Sequence, residues 1–275
     1  MTRSQIQKWI KKGNIKVNNK EVAKSGYKLS KNDQVTVIPA KPEPLNAIPQ
    51  NIPLDIVYED NDVLVVNKPQ GMVVHPAAGH PDGTLVNAIL YHTNIQSPDK
   101  IRPGIVHRID KDTSGLLMVA KNQLAQESLS KQLKEKSNLR EYLAIVHGNF
   151  AERTGTIDAP IARDPKNRKR QAVVEDGKHA VTHFEVVENL PGYALIKCRL
   201  ETGRTHQIRV HMKYIGHPVA GDPLYGPRKT LSGNGQFLHA AKLGFKHPRT
   251  GRWLEFESQP PKIFQETLQQ LRKNN

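Results

Sequence analysis

Asp110 sits where an apolar run, Ile105–Ile109, gives way to the polar segment Lys111-Asp112-Thr113-Ser114-Gly115, before a second apolar run, Leu116–Ala120. Two apolar runs around a short polar segment predict strand, tight turn, strand. A carboxylate at the mouth of such a buried hairpin costs free energy unless something pairs with it. Held beside an arginine it keeps its charge. It can then act as a nucleophile or a base rather than an acid. Other chemistries lack their residues. Neither GxxxxGK[ST] nor GxGxxG occurs, so nucleotide-cofactor motifs are missing. His206 and His211 are five apart, with no HExxH or carboxylate cluster beside them, and no catalytic metal is expected. Ser114 lies outside any GxSxG elbow. His107, at a strand end, reads as a hydrogen-bonding residue before it reads as a base. Cys198 falls inside the strand-like run Ala194–Leu200, a poor setting for a reactive thiol.

The elements that must position Asp110 belong to a chain of 275 residues, enough for one large domain and a small one. Its 41 Lys+Arg against 26 Asp+Glu give a formal net charge of +15 and a pI near 9.8. That imbalance favours a polyanion, with nucleic acid the leading candidate. No apolar run approaches the roughly 20 residues of a membrane span, no secretory leader is expected, and one cysteine suits a reducing cytoplasm. From residue types alone the chain is a basic enzyme using one carboxylate on RNA or DNA.

Residues 1–40 read as a separate module. Ser4–Lys12 predicts a short helix with Ile6, Trp9 and Ile10 on one face and Gly13 as its stop. Ile15–Val17 and Gln34–Ile38 follow as strands, with a turn at Asn18-Asn19. Nine Lys/Arg against Glu21 and Asp33 make this unit +7, and Lys8, Lys11 and Lys12 on its helix are candidate phosphate contacts. Residues 41–53 form the end of a five-proline stretch read as a linker. The second domain, 54–275, begins with strands at Ile56–Glu59, Val63–Asn67 and Met72–His75, then a helix from Thr84. A helix over Gln123–Lys136 capped by Asn122, and strands at Leu139–His147, Thr182–Val187 and Ala194–Leu200, continue it. Between them, Pro160–Lys178 predicts a basic loop or hairpin whose Arg168, Lys169 and Arg170 are available to RNA. In Thr202–His211, Ile208, Val210 and Met212 share a core register while Gln207, Arg209 and His211 point elsewhere. Strands at Gln236–Lys242 and Trp253–Glu257 and a helix at Ile263–Leu271 complete the chain.

The segment His107-Arg108-Ile109-Asp110-Lys111-Asp112-Thr113-Ser114-Gly115 resembles the HRLDxxTSG signature of the RluA-type pseudouridine synthases. Asn67-Lys68-Pro69 with Gly71 and Val74-His75-Pro76 resembles that family's NKPxGxxVHP block. Tyr142-Leu143-Ala144 with Val146-His147-Gly148 resembles its tyrosine block. Thr202–His211, then Gly216-His217-Pro218 and Gly221-Asp222, resembles TGRTHQIRVH…GHPxxGD. These blocks keep the family's order over nearly all of residues 54–260. Pro160-Ile161-Ala162-Arg163 and Ala180-Val181-Thr182-His183 resemble the branch acting on large-subunit (23S) rRNA. Residues 1–40 resemble the S4-type RNA-binding domain, and Met1 falls where that domain usually has one helix behind it, so the first helix is expected to be missing.

The resemblance implies an α+β fold with a mixed, largely antiparallel sheet, preceded by the S4-like module. It implies that Asp110 attacks or deprotonates the ribose of a flipped uridine, that Tyr142 stacks on the base and helps remove the last proton, and that Arg209 pairs with Asp110. Arg108 is the candidate to fill the vacated stack. His107, Thr113, Lys68, Arg204, His206 and Gln207 are candidate RNA contacts in the same blocks. An isomerisation needs no metal, cofactor or small-molecule donor, and a monomer acting on 23S rRNA, as the large subunit or its precursor, is expected. The rivals are a sister enzyme using another rRNA or tRNA uridine, and a non-catalytic RNA-binding assembly factor.

Overall fold

The computed structural model describes residues 3–22, 24–38, 47–77, 79–97 and 99–273. The chain divides into two compact units, Met1–Pro44 and Leu45–Asn275.

The first unit has a helix, α1 (Arg3–Lys11), and a three-stranded antiparallel sheet of β1 (Ile15–Val17), β2 (Lys20–Glu21) and β3 (Val35–Val37), in the order β2-β1-β3. Ile10, Ile15, Val17 and Val22 form its core with Trp9 against them. Gly13, with φ +71°, ends the helix, since a left-handed residue is cheapest as glycine. Asn18 and Asn19 are also left-handed, as asparagine tolerates in a turn.

The second unit begins by packing residues 47–53 onto itself. The Ala47 N–H donates to the Lys100 carbonyl and the Gln50 N–H to that of Asn87. The expected linker is corrected over this stretch, because its backbone is hydrogen-bonded to the domain; residues 39–46 lie outside the described ones. The strands are β4 (Asp55–Glu59), β5 (Val63–Lys68), β6 (Ser114–Ala120), β7 (Leu139–His147), β8 (Thr154–Asp158), β9 (Ile161–Arg163), β10 (Gln171–Val173), β11 (Val181–Leu190), β12 (Tyr193–Leu200), β13 (Leu238–Lys246) and β14 (Trp253–Glu257). Nine of them form one sheet, ordered β4-β5-β6-β13-β7-β12-β11-β8, with β14 on β13; β9 and β10 make a separate basic hairpin. The β6–β13 pairing is parallel and the other strand pairings are antiparallel. The fold is therefore α+β with a mixed, largely antiparallel sheet.

Helices cover both faces. α2 (Leu85–His92), capped by Thr84, and α4 (Gln207–Tyr214) lie on one side. Their Leu85, Val86, Ile89, Ile208 and Met212 join Leu117, Val119, Ala144 and Val146 of the sheet. On the other side α3 (Gln123–Lys134), capped by Asn122, packs Ala125 and Leu129 on Leu116 and Met118. There α5 (Lys262–Lys273) also sets Phe264 and Leu271 on Ile145 and Leu195. β6 is buried at all seven positions, which is why its sequence is apolar without alternation.

Three sequence expectations are corrected. Residues 105–109 are not a strand; they meet β6 through one bridge, Ile105 to Val119. The His107 ring supplies the next contact, its Nε2 accepting from the Met118 N–H at 3.1 Å, so a side chain stands where a ladder carbonyl would. Residues 72–75 form no strand either, the chain turning there toward α2. Gln207–Met212 is a helix buried at every position, so Gln207, Arg209 and His211 do not point away from the core.

Gly115, at the start of β6, has φ +112°, and a Cβ there would overlap the Ala240 backbone. Gly71 has φ +82° with open space around it. Gly115→Ala is expected to cost roughly 3 kcal/mol or more, strain plus overpacking, whereas Gly71→Ala should cost about 1–2 kcal/mol from strain alone. Urea unfolding of the two variants checks the difference.

Candidate active site

The turn that carries Asp110 is held by one bond of its own and by atoms from two distant segments. The Thr113 N–H donates to the Asp110 carbonyl at 3.2 Å, and the Gly71 N–H to that of Lys111 at 3.0 Å. The Lys68 ammonium donates to the Pro69, Met72 and Lys111 carbonyls at 2.8, 2.9 and 3.0 Å. Gln70 donates to the Asp112 carbonyl, and Gln236 to the Thr113 hydroxyl. Converging carbonyls left unpaired in the interior would each be costly. One ammonium with three protons answers them together.

Across from this turn, α4 presents Arg209. Its Nη1 donates to Asp110 Oδ2 at 2.7 Å, while Nε and Nη2 grip Asp222 at 2.6 and 2.9 Å. Burial opposes the guanidinium charge, but Asp222 and Asp110 outweigh it and raise its pKa. Burial likewise opposes the Asp222 charge, and Arg209 outweighs that, holding the carboxyl below its ordinary range. The Asp222 side chain is 0% exposed and that of Asp110 16%. Only Asp110 can meet a ligand. Asp222 Oδ1 also accepts from the N–H groups of Leu224 and Tyr225, an Asx turn that fixes the carboxylate before it meets Arg209. The Arg209 guanidinium lies 5.1 Å from the centre of the Tyr225 ring.

Asp110, Arg209, Tyr142, Arg140, Arg108, His206 and Arg204 line one cavity of about 320 Å³, within the range of small-ligand pockets. Tyr142, on β7, is 6% exposed, and burial raises its pKa, so the hydroxyl stays protonated. His206 precedes α4 in the left-handed region, φ +58°, an unusual conformation for a non-glycine residue. It aims the imidazole at Tyr225, with Nδ1 at 2.8 Å from the hydroxyl and Nε2 at 3.9 Å from Asp110 Oδ1. Burial lowers its pKa, Asp110 opposing.

Of the residues expected to touch RNA, several are corrected. Lys68 is 1% exposed with its donors on the three carbonyls above. Burial pulls its pKa down to about 7, Asp110 and Asp112 opposing; it is a scaffold residue. Gln207 is buried, accepting from the Thr202 hydroxyl and the Arg204 N–H and donating to the Val181 carbonyl and the Thr182 hydroxyl. Thr113 is buried under Gln236. His107 has Nε2 committed to Met118, and burial, with Arg140 nearby, pushes its pKa down to about 3. Arg108, Arg204, Lys11, Lys12, Arg168 and Lys169 are exposed, and His206 and Arg170 half-buried. The Lys8 side chain lies outside the described ones. Cys198 is buried and its thiol pushed up to about 12 by burial and Glu141, unsuited to nucleophilic work.

Sequence reasoning passed over Asp222, Tyr225 and Arg140. The Gly221-Asp222-Pro223 turn was visible, but its bond to Arg209 spans thirteen residues and needs α4 and the turn in place. Arg140, two residues before Tyr142 on an alternating strand, shares its face, a signal that was available.

Residues 62–214 match the RNA pseudouridylate synthase family, and residues 2–35 match the S4 domain. A Bacillus subtilis protein named uncharacterized RNA pseudouridine synthase is 58% identical, the match covering 99% of this chain and 90% of its own. A protein of Zymomonas mobilis named ribosomal large subunit pseudouridine synthase D is 49% identical over 90% of this chain and 82% of its own. The solved structure of human RNA pseudouridylate synthase domain containing 1 superposes with a TM-score of 0.64 at 26% identity, covering 84% of this chain and 97% of that one.

Removing Asp222 would leave Arg209 with one partner and the Leu224 and Tyr225 amides with none. Asp222→Ala is expected to lower stability by about 3–5 kcal/mol. Asp222→Asn, which keeps the Asx acceptor, should lose less. Urea unfolding of both variants gives the comparison.

Proposed function

The chain belongs to the RNA pseudouridylate synthase family, and on that premise we propose that it converts uridines of large-subunit ribosomal RNA to pseudouridine through Asp110. The observation that carries the catalytic part is the Arg209–Asp110 contact of 2.7 Å beside the Tyr142 cavity. Arg209 occupies Asp110 Oδ2, which leaves Oδ1 as the reacting oxygen. A uridine in folded RNA must leave its stack, at a cost of a few kcal/mol. Stacking on Tyr142 offsets this by about 1–3 kcal/mol, and Arg108, exposed beside Asp110, is suited to fill the vacated stack. The carboxylate then attacks the sugar or takes a proton from it, and the glycosidic bond opens with its electron pair on the base. The base turns and bonds to the sugar through carbon, which restores the Asp110 carboxylate. The proton on that carbon then passes to solvent, the protonated Tyr142 hydroxyl assisting as a relay, and the nitrogen that had held the sugar takes one up. One bond moves within one molecule, so the reaction itself calls for no energy donor.

The ribosomal target is supported by relatives named ribosomal large subunit pseudouridine synthase D, among them the Zymomonas protein and a Yersinia pestis protein 43% identical over 98% of this chain and 87% of its own. A net charge of +15 and an S4 domain match suit a large folded RNA. Exposed Lys11, Lys12, Arg168 and Lys169 are suited to hold its backbone by shape more than by sequence. Among the described residues, no helix is long and apolar enough to cross a membrane.

Asp110→Ala and Asp110→Asn should abolish pseudouridine formation while RNA affinity stays within severalfold of the unsubstituted protein, because Asp222 still holds Arg209. Residual turnover in a preparation free of the native enzyme would sink this assignment. Mapping pseudouridine in rRNA with and without the gene tests the target. Replacing Lys11 and Lys12 by Gln should flatten the salt dependence of RNA binding by nearly 1 unit of log-log slope per lost phosphate contact; a filter-binding series in salt measures it.

A further inference from the structure

Arg140 stands on β7 with Tyr142, two positions along and on the same face of the sheet. It is 6% exposed and lines the cavity that Asp110 opens into. Its Nε has no hydrogen-bond partner. Burial lowers the pKa of its guanidinium, opposed by the neighbouring Tyr142 hydroxyl, and no carboxylate pairs with it among the described residues. A buried cation without a partner is costly, and removing that cost takes an acceptor from outside the protein. The guanidinium lies against Gly203, where a Cβ would fall 2.7 Å from Arg140 Nη1, so a side chain at position 203 would push it from its place in the cavity lining. The other buried cation of the cavity, Arg209, is already committed to two carboxylates.

We propose that Arg140 is a binding group for the target base, donating hydrogen bonds to a carbonyl oxygen of the flipped uracil and holding the negative charge the base carries while detached. The inference rests on the proposed reaction. When the glycosidic bond opens, the electron pair stays with the uracil and spreads onto its carbonyl oxygens. Arg140 stabilises that charge without giving up a proton, and the pair returns when the carbon–carbon bond forms. A preset donor aimed at charge that develops only as the bond opens acts chiefly on rate. Phosphates, by contrast, stay at the surface, where Arg108 and Arg204 are exposed.

The test uses the full-length protein and an rRNA transcript carrying the target, with single-turnover rates at saturating enzyme, RNA affinity in a salt series, and thermal unfolding. Arg140→Met should lower the rate by about 100-fold, and Arg140→Lys should recover to within about tenfold of the unsubstituted protein. Affinity and salt slope should stay within about twofold, and the melting temperature should hold or rise, since an unpaired buried charge is gone. An unchanged rate overturns the inference. So does a loss confined to affinity with a shallower salt slope, which marks a phosphate contact, or a fall in melting temperature that accounts for the lost activity. An unsubstituted protein that makes no pseudouridine overturns the proposed function along with it, whereas an active one equalled by Arg140→Met overturns this inference alone.

Discussion

Arg209 shared between Asp110 and Asp222 is the constraint on which the rest of the domain depends. A guanidinium offers a planar fork of five donors, and here the fork is spent unequally. Nε and Nη2 go to Asp222, fully buried, and Nη1 alone goes to Asp110. A bidentate grip on Asp110 would have occupied both its oxygens. The one-point contact keeps the carboxylate fixed and leaves Oδ1 on the cavity side. This works only if Asp222 is rigid, and the Asx turn to Leu224 and Tyr225 makes it so. It also needs α4 to begin where it does, after the left-handed His206.

Asp110 is fixed from its own side by backbone. Its turn is too short and too polar to bury itself, so it borrows Lys68, Gln70 and Gln236 from elsewhere. The parallel contact of β6 with β13 at Ser114 and Gly115 then seats the turn on the sheet. That close approach is why position 115 has to be glycine. The two halves of the Arg209–Asp110 pair come from residues 99 apart, and each is preorganised before they meet.

Much of this was legible in the sequence, and the reasons differ from part to part. The helix at 123 and the long strands at 139, 181 and 193 carry periodicity or apolar runs, which local physics reads directly. Asp110, Tyr142 and Arg209 stood out through their motif blocks. What sequence could not assign was direction. Lys68 and Gln207 lie in the same blocks as Asp110 and looked like RNA ligands. Their polar atoms turn inward instead, because the fold gathers carbonyls and hydroxyls around them. The run 105–109 has a strand's composition, yet His107 takes a backbone role and breaks the ladder. Alternation at 207–212 suggested two faces, whereas a helix enclosed on all sides buries both.

Charge explains why the cavity needs groups at both ends. Asp110 and Asp222 against Arg209 and Arg140 leave the protein's buried side chains there formally neutral. In the proposed reaction Asp110 gives up its negative charge, whether it bonds to the sugar or takes a proton from it, and the detached uracil acquires one. The total is unchanged, and the charge has moved off the carboxylate beside Arg209 and onto the base. In water such a displacement would be met by solvent turning around each site. With the base bound against Tyr142, Ile109 and Leu238 of the cavity lining, fixed cations standing where the charge starts and where it arrives spare that reorganisation. Arg209, held by Asp222, serves the start. A cation with free donors and no carboxylate of its own is what the other end requires, and Arg140 meets that description.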